Sequence, residues 1–368
     1  MSKRKYTVLH TEWSDGWGGQ EHRILNEMLG MQRRGHRVLL ATRAHAQIAE
    51  RARKAGIEVF TLPFAGKFDL RTIVPLSRLA KRERVDIVNT HSGNDSWSGG
   101  LAAKFAGITL VRTRHLNIPL KRSWHNFVHE LPACIVTCGE TMRTQLQQEC
   151  GFEPERLASI PTGVDFEQFA PNKTREQMRA ELGYGVAEWL ILMVGVIREV
   201  KRHDVALQAF ARVYQKHPQA RLLLAGDGPK RGDTEALAKE LGIADAVRFL
   251  GHRNDVPDLM AASDCSLLTS RSEGVPQAVT QALGLGLPTV ATAVGGVPEL
   301  VIDGQTGLLA PSGDDAALAA ALNRLIEQPA LAKTLSDAAR AHARGQYSLN
   351  AMLDATEALY ARVLEAAR

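Results

Sequence analysis

Two cations, Arg198 and Lys201, stand in the segment GVIREVKRHD, between an apolar run over residues 189–196 and a helical pattern that starts near Asp204. A guanidinium and an ammonium in such a loop would neutralise a diphosphate leaving group, and in a closed cleft each could supply a few kcal/mol as charge builds in a transition state. The plainer alternative is a solvated loop. Near the N-terminus Gly16, Gly18 and Gly19 separate a strand pattern over residues 6–10 from a helical one over residues 21–33, in which Ile24, Leu25, Met28, Leu29 and Met31 keep helical spacing. Glycines at a strand-to-helix turn let backbone amides approach phosphate oxygens, although such loops also close many strand and helix pairs that hold no ligand. His91 and His115 each fall just past a short apolar strand. There an imidazole could donate to a ligand hydroxyl or carry charge beside a phosphate; a lone histidine is also commonly structural.

The elements that must position these residues alternate regularly. Strands are expected at residues 37–42, 59–62, 87–90, 110–114 and 133–137, with helices at 46–55, 70–83 and 97–106, which spells a doubly wound parallel α/β sheet. Near Ile160 the segment IPTGVDFEQFAP loses all periodicity and reads as a linker, so a domain boundary is set at about residue 170. A second strand and helix series begins at residue 189 and continues with strands at 222–225 and 247–251. Gly226, Gly228 and Pro229 form a turn that is unspecific when taken alone. The stretch 264–311 is the most informative. It reads as a strand (265–269), polar residues 270–273, a helix with Pro276 at its first position, a strand (287–292), and a turn forced by Gly295, Gly296 and Pro298 before a short helix over 297–302. Both loops open at the carboxyl edge of a parallel sheet, where α/β proteins bind ligands and where helix N-termini favour anions. Residues 314–343 read as helical and 349–364 as an amphipathic helix.

The same stretch resembles the donor-binding segment of the family 4 retaining glycosyltransferases, E-G-F-P-L-x-x-x-E-A-x-x-x-G-x-P-V-V-A-T-x-x-G-G-x-x-E. Glu273, Gly274, Pro276, Ala282, Gly286, Pro288, Ala291, Thr292, Gly295, Gly296 and Glu299 fall in register, while Gln281 replaces the second glutamate. Gly18, Gly19, Glu21, Gly35, His36 and Val38 are similar to the family's first glycine loop and the helix and strand after it, and the VRTRH context of His115 resembles the strand that ends near the transferred sugar. The hinge resembles I-P-N-G-V-D with Thr162 for Asn, and the loop 226–229 resembles the G-D-G-P turn near the donor base. Lys201 matches the family's lysine, whereas the position of its arginine is Val196, so Arg198 substitutes only if the loop turns suitably.

The resemblance implies the GT-B arrangement: two facing Rossmann-like domains with a cleft, an acceptor-side domain over 1–170, a donor domain over 171–347, and a helix at about 348–368 crossing back to the first domain. It implies transfer of a hexosyl group from a nucleoside-diphosphate sugar to a hydroxyl of a glycan or lipid-linked acceptor, in cell-surface polysaccharide or lipopolysaccharide synthesis, with retention. The residues expected at the reacting centre are Glu273, His115, Lys201 and Arg198. Gly18, Gly19, Gly226, Gly274, Val275, Pro276, Gln277 and Gln281 are expected to bind donor, and His91 and Asp95 to face the acceptor. No Asp-x-Asp pair occurs in the chain, so a metal clamp has no obvious ligands, no cofactor is expected, and helix N-termini with Lys201 must carry the charge. Two other classes stay open: an epimerase or phosphorylase on the same fold, and a non-catalytic nucleotide-binding partner subunit, the latter because of Gln281.

Composition bounds these readings. A chain of 368 residues, 45% hydrophobic and 23% charged, suits two soluble domains. Cys134, Cys138, Cys150 and Cys265 show no metal or redox spacing, which suits reduced thiols. Neither a signal peptide nor a run of roughly 18 apolar residues is visible, so a cytoplasmic location is expected. Residues 1–170 carry 24 Lys and Arg against 17 Asp and Glu, and residues 171–368 carry 21 against 23. A basic first half suits an anionic membrane surface, with Lys121, Arg122 and Trp124 as the contact, or else reflects solvated helix faces. Nucleic acid is not expected, because the basic stretches lack a recognition motif and interleaved aromatics.

Overall fold

The computed structural model describes residues 4–115, 120 and 123–367. The chain forms two compact units, residues 1–163 with 349–368, and residues 164–348. The division falls inside the linker segment and a few residues before the expected 170. The reason is local: the Val164 amide donates to the Tyr347 carbonyl at 2.9 Å, and Val164 and Phe166 are buried in the core of the second unit. The helix Leu349–Ala366 belongs to the first unit, where Met352, Leu353, Tyr360 and Val363 join the core beneath its sheet.

The first unit is built on seven parallel strands: β1 (Thr7–Glu12), β2 (Arg37–Thr42), β3 (Glu58–Thr61), β4 (Ile87–Thr90), β5 (Thr109–Arg114), β6 (Cys134–Thr137) and β7 (Leu157–Ser159), in the order β3-β2-β1-β4-β5-β6-β7. The second has six: β8 (Trp189–Val194), β9 (Ala220–Ala225), β10 (Val247–Gly251), β11 (Cys265–Leu268), β12 (Thr289–Thr292) and β13 (Leu308–Ala310), in the order β10-β9-β8-β11-β12-β13. Strands such as Trp189–Val194 and Cys134–Thr137 read as nearly continuous apolar runs because both faces of a parallel sheet are covered by helices. The order reverses between β1 and β4 in one unit and between β8 and β11 in the other. At such a switch point neighbouring loops leave in opposite directions and open a crevice at the carboxyl edge.

Several boundaries differ from the expectation for identifiable reasons. β1 runs on to Glu12 because its carboxylate, though buried, accepts the Trp13 and Ser14 amides at 2.8 Å each. The strand from 189 stops at Val194, since Gly195 takes φ +154°. The helix expected from 97 starts at Gly93, where Ser92 and Asp95 form a capping box. Pro276 is the N-cap of the helix Gln277–Leu285, one position before the expected N1. Residues 314–343 divide into the helices Asp315–Glu327 and Pro329–Gln346, because Pro329 opens the second and cannot continue the first. The edge strands β7 and β13, three residues each, were not expected. Among the described residues no helix is long and apolar enough to cross a membrane.

Candidate active site

In the second unit the loops after β8 and β11 meet across the switch point. Lys201 closes a 3-10 turn, Glu199–Lys201, and its Nζ lies 2.6 Å from Glu273 Oε1, with the two side chains 15% and 12% exposed. Ser270 Oγ donates to the same oxygen. The loops are tied together through their backbones: Thr269 Oγ1 donates to the carbonyls of Lys201 and Arg202 at 3.0 and 2.9 Å, and the Arg271 amide donates to the Val200 carbonyl at 2.8 Å. Arg202 is held at φ +52°, a left-handed conformation that costs a non-glycine residue energy and persists only where the surroundings impose it.

Glycines allow the neighbouring loops to close against this pair. A Cβ on Gly295, at φ +53°, would lie 1.8 Å from the Glu273 carbonyl oxygen, and one on Gly226, at φ +154°, would lie 1.9 Å from that of Gly195. Both positions therefore require glycine for the protein's own packing. Gly274 and Gly19 do not, since a Cβ there meets nothing within 4 Å. Past Glu273, Val275 packs on the core, Pro276 is buried, and the helix Gln277–Leu285 begins. Its Gln277 Nε2 is buried and has no hydrogen-bond partner among the described residues. Gln281 sits half-buried one turn further on. Arg198 departs from expectation: its side chain is exposed and lines a separate cavity of about 390 Å³ with Lys230 and Arg271, so it is not gathered with Lys201 and Glu273.

In the first unit the switch point is occupied by imidazoles. His10 Nδ1 lies 2.9 Å from His91 Nε2, His91 Nδ1 lies 3.1 Å from His115 Nε2, and His115 Nδ1 lies 3.7 Å from Cys138 Sγ. Burial holds all three histidines below the usual imidazole range, His10 to about 3. Each link needs one donor and one acceptor, so a neutral chain has all its N–H groups pointing the same way. Both ring nitrogens of His91 and of His115 are thus engaged within the protein. Burial disfavours the charged role considered for His91, and neither ring nitrogen of His115 is left free to donate to a ligand in this arrangement.

Asp95 also departs from its expected part. It is fully buried; Oδ2 accepts from Thr11 Oγ1 at 2.6 Å and from the His91 amide at 2.8 Å, and Oδ1 accepts from the amide and hydroxyl of Ser92. It is a helix cap that fixes His91, with no oxygen turned outward. A Ser-x-x-Asp pair before an apolar helix is a legible capping signal, and it marks Asp95 as a backbone acceptor. His10 had no such signal, because only the β1–β4 register, His10 opposite Asn89, brings it beside His91. The glycine loop opens the helix Gly19–Arg33, where Glu21 Oε2 accepts the Gly18 amide at 2.8 Å. Of the proposed membrane contact, Trp124 is 79% exposed, while Lys121 and Arg122 lie outside the described residues.

Two Rossmann-like sheets, each with its loops gathered at a switch point, define a two-domain α/β class. Residues 174–342 match the family model for glycosyl transferases group 1, and residues 17–168 match that for glycosyltransferase family 4. The N-acetyl-alpha-D-glucosaminyl L-malate synthase of Bacillus anthracis is 34% identical over 308 residues, covering 81% of this chain and 80% of that one. The D-inositol 3-phosphate glycosyltransferase of Actinosynnema mirum is 30% identical over 370 residues, covering 89% and 88%. Among solved structures, HepE of Anabaena in complex with UDP shares the fold with a TM-score of 0.85 at 22% identity, over 97% of this chain and 100% of that one. The chain belongs to the family 4 (group 1) glycosyltransferases of GT-B fold.

Proposed function

We propose that the protein transfers a hexosyl group from a nucleoside-diphosphate sugar to an acceptor hydroxyl with retention of configuration and without a catalytic metal. The observation that carries this reading is the Lys201–Glu273 pair at the switch point of β8 and β11. A cation there meets the diphosphate, and the adjoining carboxylate accepts hydrogen bonds from sugar hydroxyls. The anomeric carbon becomes a good electrophile only when its oxygen leaves as phosphate, and Lys201 together with the free amides opening the helix Gln277–Leu285 can stabilise that charge. In a front-face displacement the C1–O(phosphate) bond breaks, the C1–O(acceptor) bond forms on the same face, and the acceptor proton passes to the departing phosphate oxygen. No protein nucleophile is needed.

Gln281 is assigned to the ribose. HepE was solved with UDP, which supports a uridine nucleotide as the first donor to try. The relatives' names carry acceptors as different as L-malate and inositol 3-phosphate, so the acceptor does not transfer from them. A glycan or lipid-linked acceptor, met at an anionic membrane surface during cell-surface polysaccharide or lipopolysaccharide synthesis, belongs to the same proposal and rests on the basic first half of the chain and on exposed Trp124. Incubation with a nucleotide-sugar panel and excess EDTA, followed by NMR of the product's anomeric coupling, tests it. Inverted product, or activity abolished by EDTA and restored by a divalent cation, would overturn retention or metal independence respectively.

A further inference from the structure

The first unit holds a cavity of about 560 Å³ at the carboxyl edge of β1, β4 and β5. That is the size range of sites for small metabolites. Its walls include Trp13 and Trp97, His115 of the imidazole chain, and three cations: Lys67, Arg112 and Arg114. Among the described residues of the wall the single carboxylate is Glu21, already accepting the Gly18 amide. The cavity therefore carries a surplus of positive charge.

Arg112 is the telling member. It is 5% exposed, and Nη1 lies 2.6 Å from His129 Nδ1. A guanidinium can only donate, so His129 accepts and is neutral, in keeping with a pKa lowered to about 4 by burial and by Arg112. Among the described residues no carboxylate lies within ion-pair distance of Arg112; Asp95, itself pushed toward its neutral form by burial and taken up by Thr11, His91 and Ser92, acts on it only at longer range. Buried charges in folded proteins are paired, because leaving water uncompensated is costly. Arg114, two residues on along β5, faces the same cavity, and Lys67 stands over the Trp97 ring at 5.0 Å. Forked guanidinium donors suit the two oxygens of a carboxylate or phosphate.

We infer that this cavity holds the acceptor by a compact oxyanion, a carboxylate or phosphate carried close to the accepting hydroxyl. The word acceptor rests on the glycosyltransferase reading; the anion site does not. An uncharged glycan end would leave Arg112 with only the longer-range Asp95 as counter-charge, whereas a hydroxy acid, a sugar phosphate or a phosphate-linked lipid head would supply an oxyanion in direct contact.

Calorimetric titration at constant ionic strength tests the inference on the full chain, with glycerol 3-phosphate, tartrate and uncharged glycerol as probes and UDP titrated separately. The two anions should bind and glycerol should not. Lys67→Gln, at an exposed position, and Arg114→Gln should each weaken the anions at least fivefold while leaving UDP within twofold; Lys201→Gln should do the reverse. Vesicles containing phosphatidylglycerol, compared with phosphatidylcholine, separate the sources. Binding of the vesicles alone, lost in Lys67→Gln, places the oxyanion on a lipid head, and binding of the soluble anions places it on a free metabolite. If no anion binds, or if Lys67→Gln and Arg114→Gln weaken UDP as much as the anions, the inference is wrong. Anion binding without any UDP binding would keep this site and overturn the glycosyltransferase reading instead.

Discussion

Removing Glu273 should separate donor chemistry from nucleotide grip. Its carboxylate lies 2.6 Å from Lys201 Nζ with both side chains mostly buried, so Glu273→Ala strands an ammonium. Breaking a buried pair in this way costs about 3–5 kcal/mol when nothing compensates. The pair here keeps 15% and 12% exposure, and Lys201 can swing toward solvent, which points to the lower end of that range. At about 2–4 °C per kcal/mol for a domain of this size, a loss of about 3 kcal/mol should lower the melting temperature by roughly 6–12 °C. A diphosphate would replace the lost counter-charge, so UDP should restore more of that loss in the variant than it adds to wild type, and UDP affinity should hold or rise. Turnover should behave oppositely: kcat/KM falls by on the order of 10² or more, the scale for a buried polar contact made in the transition state. Glu273→Gln, which keeps the shape and one acceptor oxygen, should lie between. The assays are thermal melts with and without UDP, calorimetry, and UDP release in the presence of acceptor. A tenfold loss of UDP affinity in Glu273→Ala, or near-wild-type turnover, would refute the assignment.

Gln281→Glu should shift donor affinity several-fold, and 2′-deoxyribose donors should respond differently in the two proteins, because a carboxylate accepts from both ribose hydroxyls whereas an amide accepts from one; identical responses would place the ribose elsewhere. The buried His10 and His91 have folded-state pKa values below the unfolded 6.5, so the unfolded chain binds the extra protons and stability is lost as pH falls below about 6.5, by up to ~1.4 kcal/mol per pH unit for each. Melts from pH 7.5 to 5 should show this decline, and His10→Asn should flatten it; an unchanged slope in that variant would count against a neutral buried imidazole. Sedimentation with liposomes at low ionic strength should favour anionic over neutral lipid and weaken with salt, and equal sedimentation would argue for a soluble acceptor.

Much of the fold was legible because most of the parallel strands are short, largely apolar runs set off by turn residues, Trp189–Val194 being the clearest. Edge strands such as Leu157–Ser159 escape because three residues with one face open carry no pattern. The pairing of Lys201 with Glu273 was legible only as membership of two loops; that the loops touch depends on strand order, which places β8 beside β11 although 70 residues separate them in sequence. The first unit's site was less legible. His10, Arg112 and His129 come from separate elements and carry no spacing signal, and Asp95 looked available because sequence shows a carboxylate but not the Thr11, His91 and Ser92 donors that occupy it.

Metal-independent retaining transfer is tested by titrating the protein with UDP-hexoses in the absence of added metal, then supplying a phosphate-bearing acceptor and following UDP release and the product's anomeric configuration together. Saturable donor binding that Lys201→Gln weakens, UDP release that depends on the acceptor, and a product with the donor's anomeric configuration are expected. Absence of binding by every nucleotide sugar, or UDP release with no glycoside formed, would contradict it.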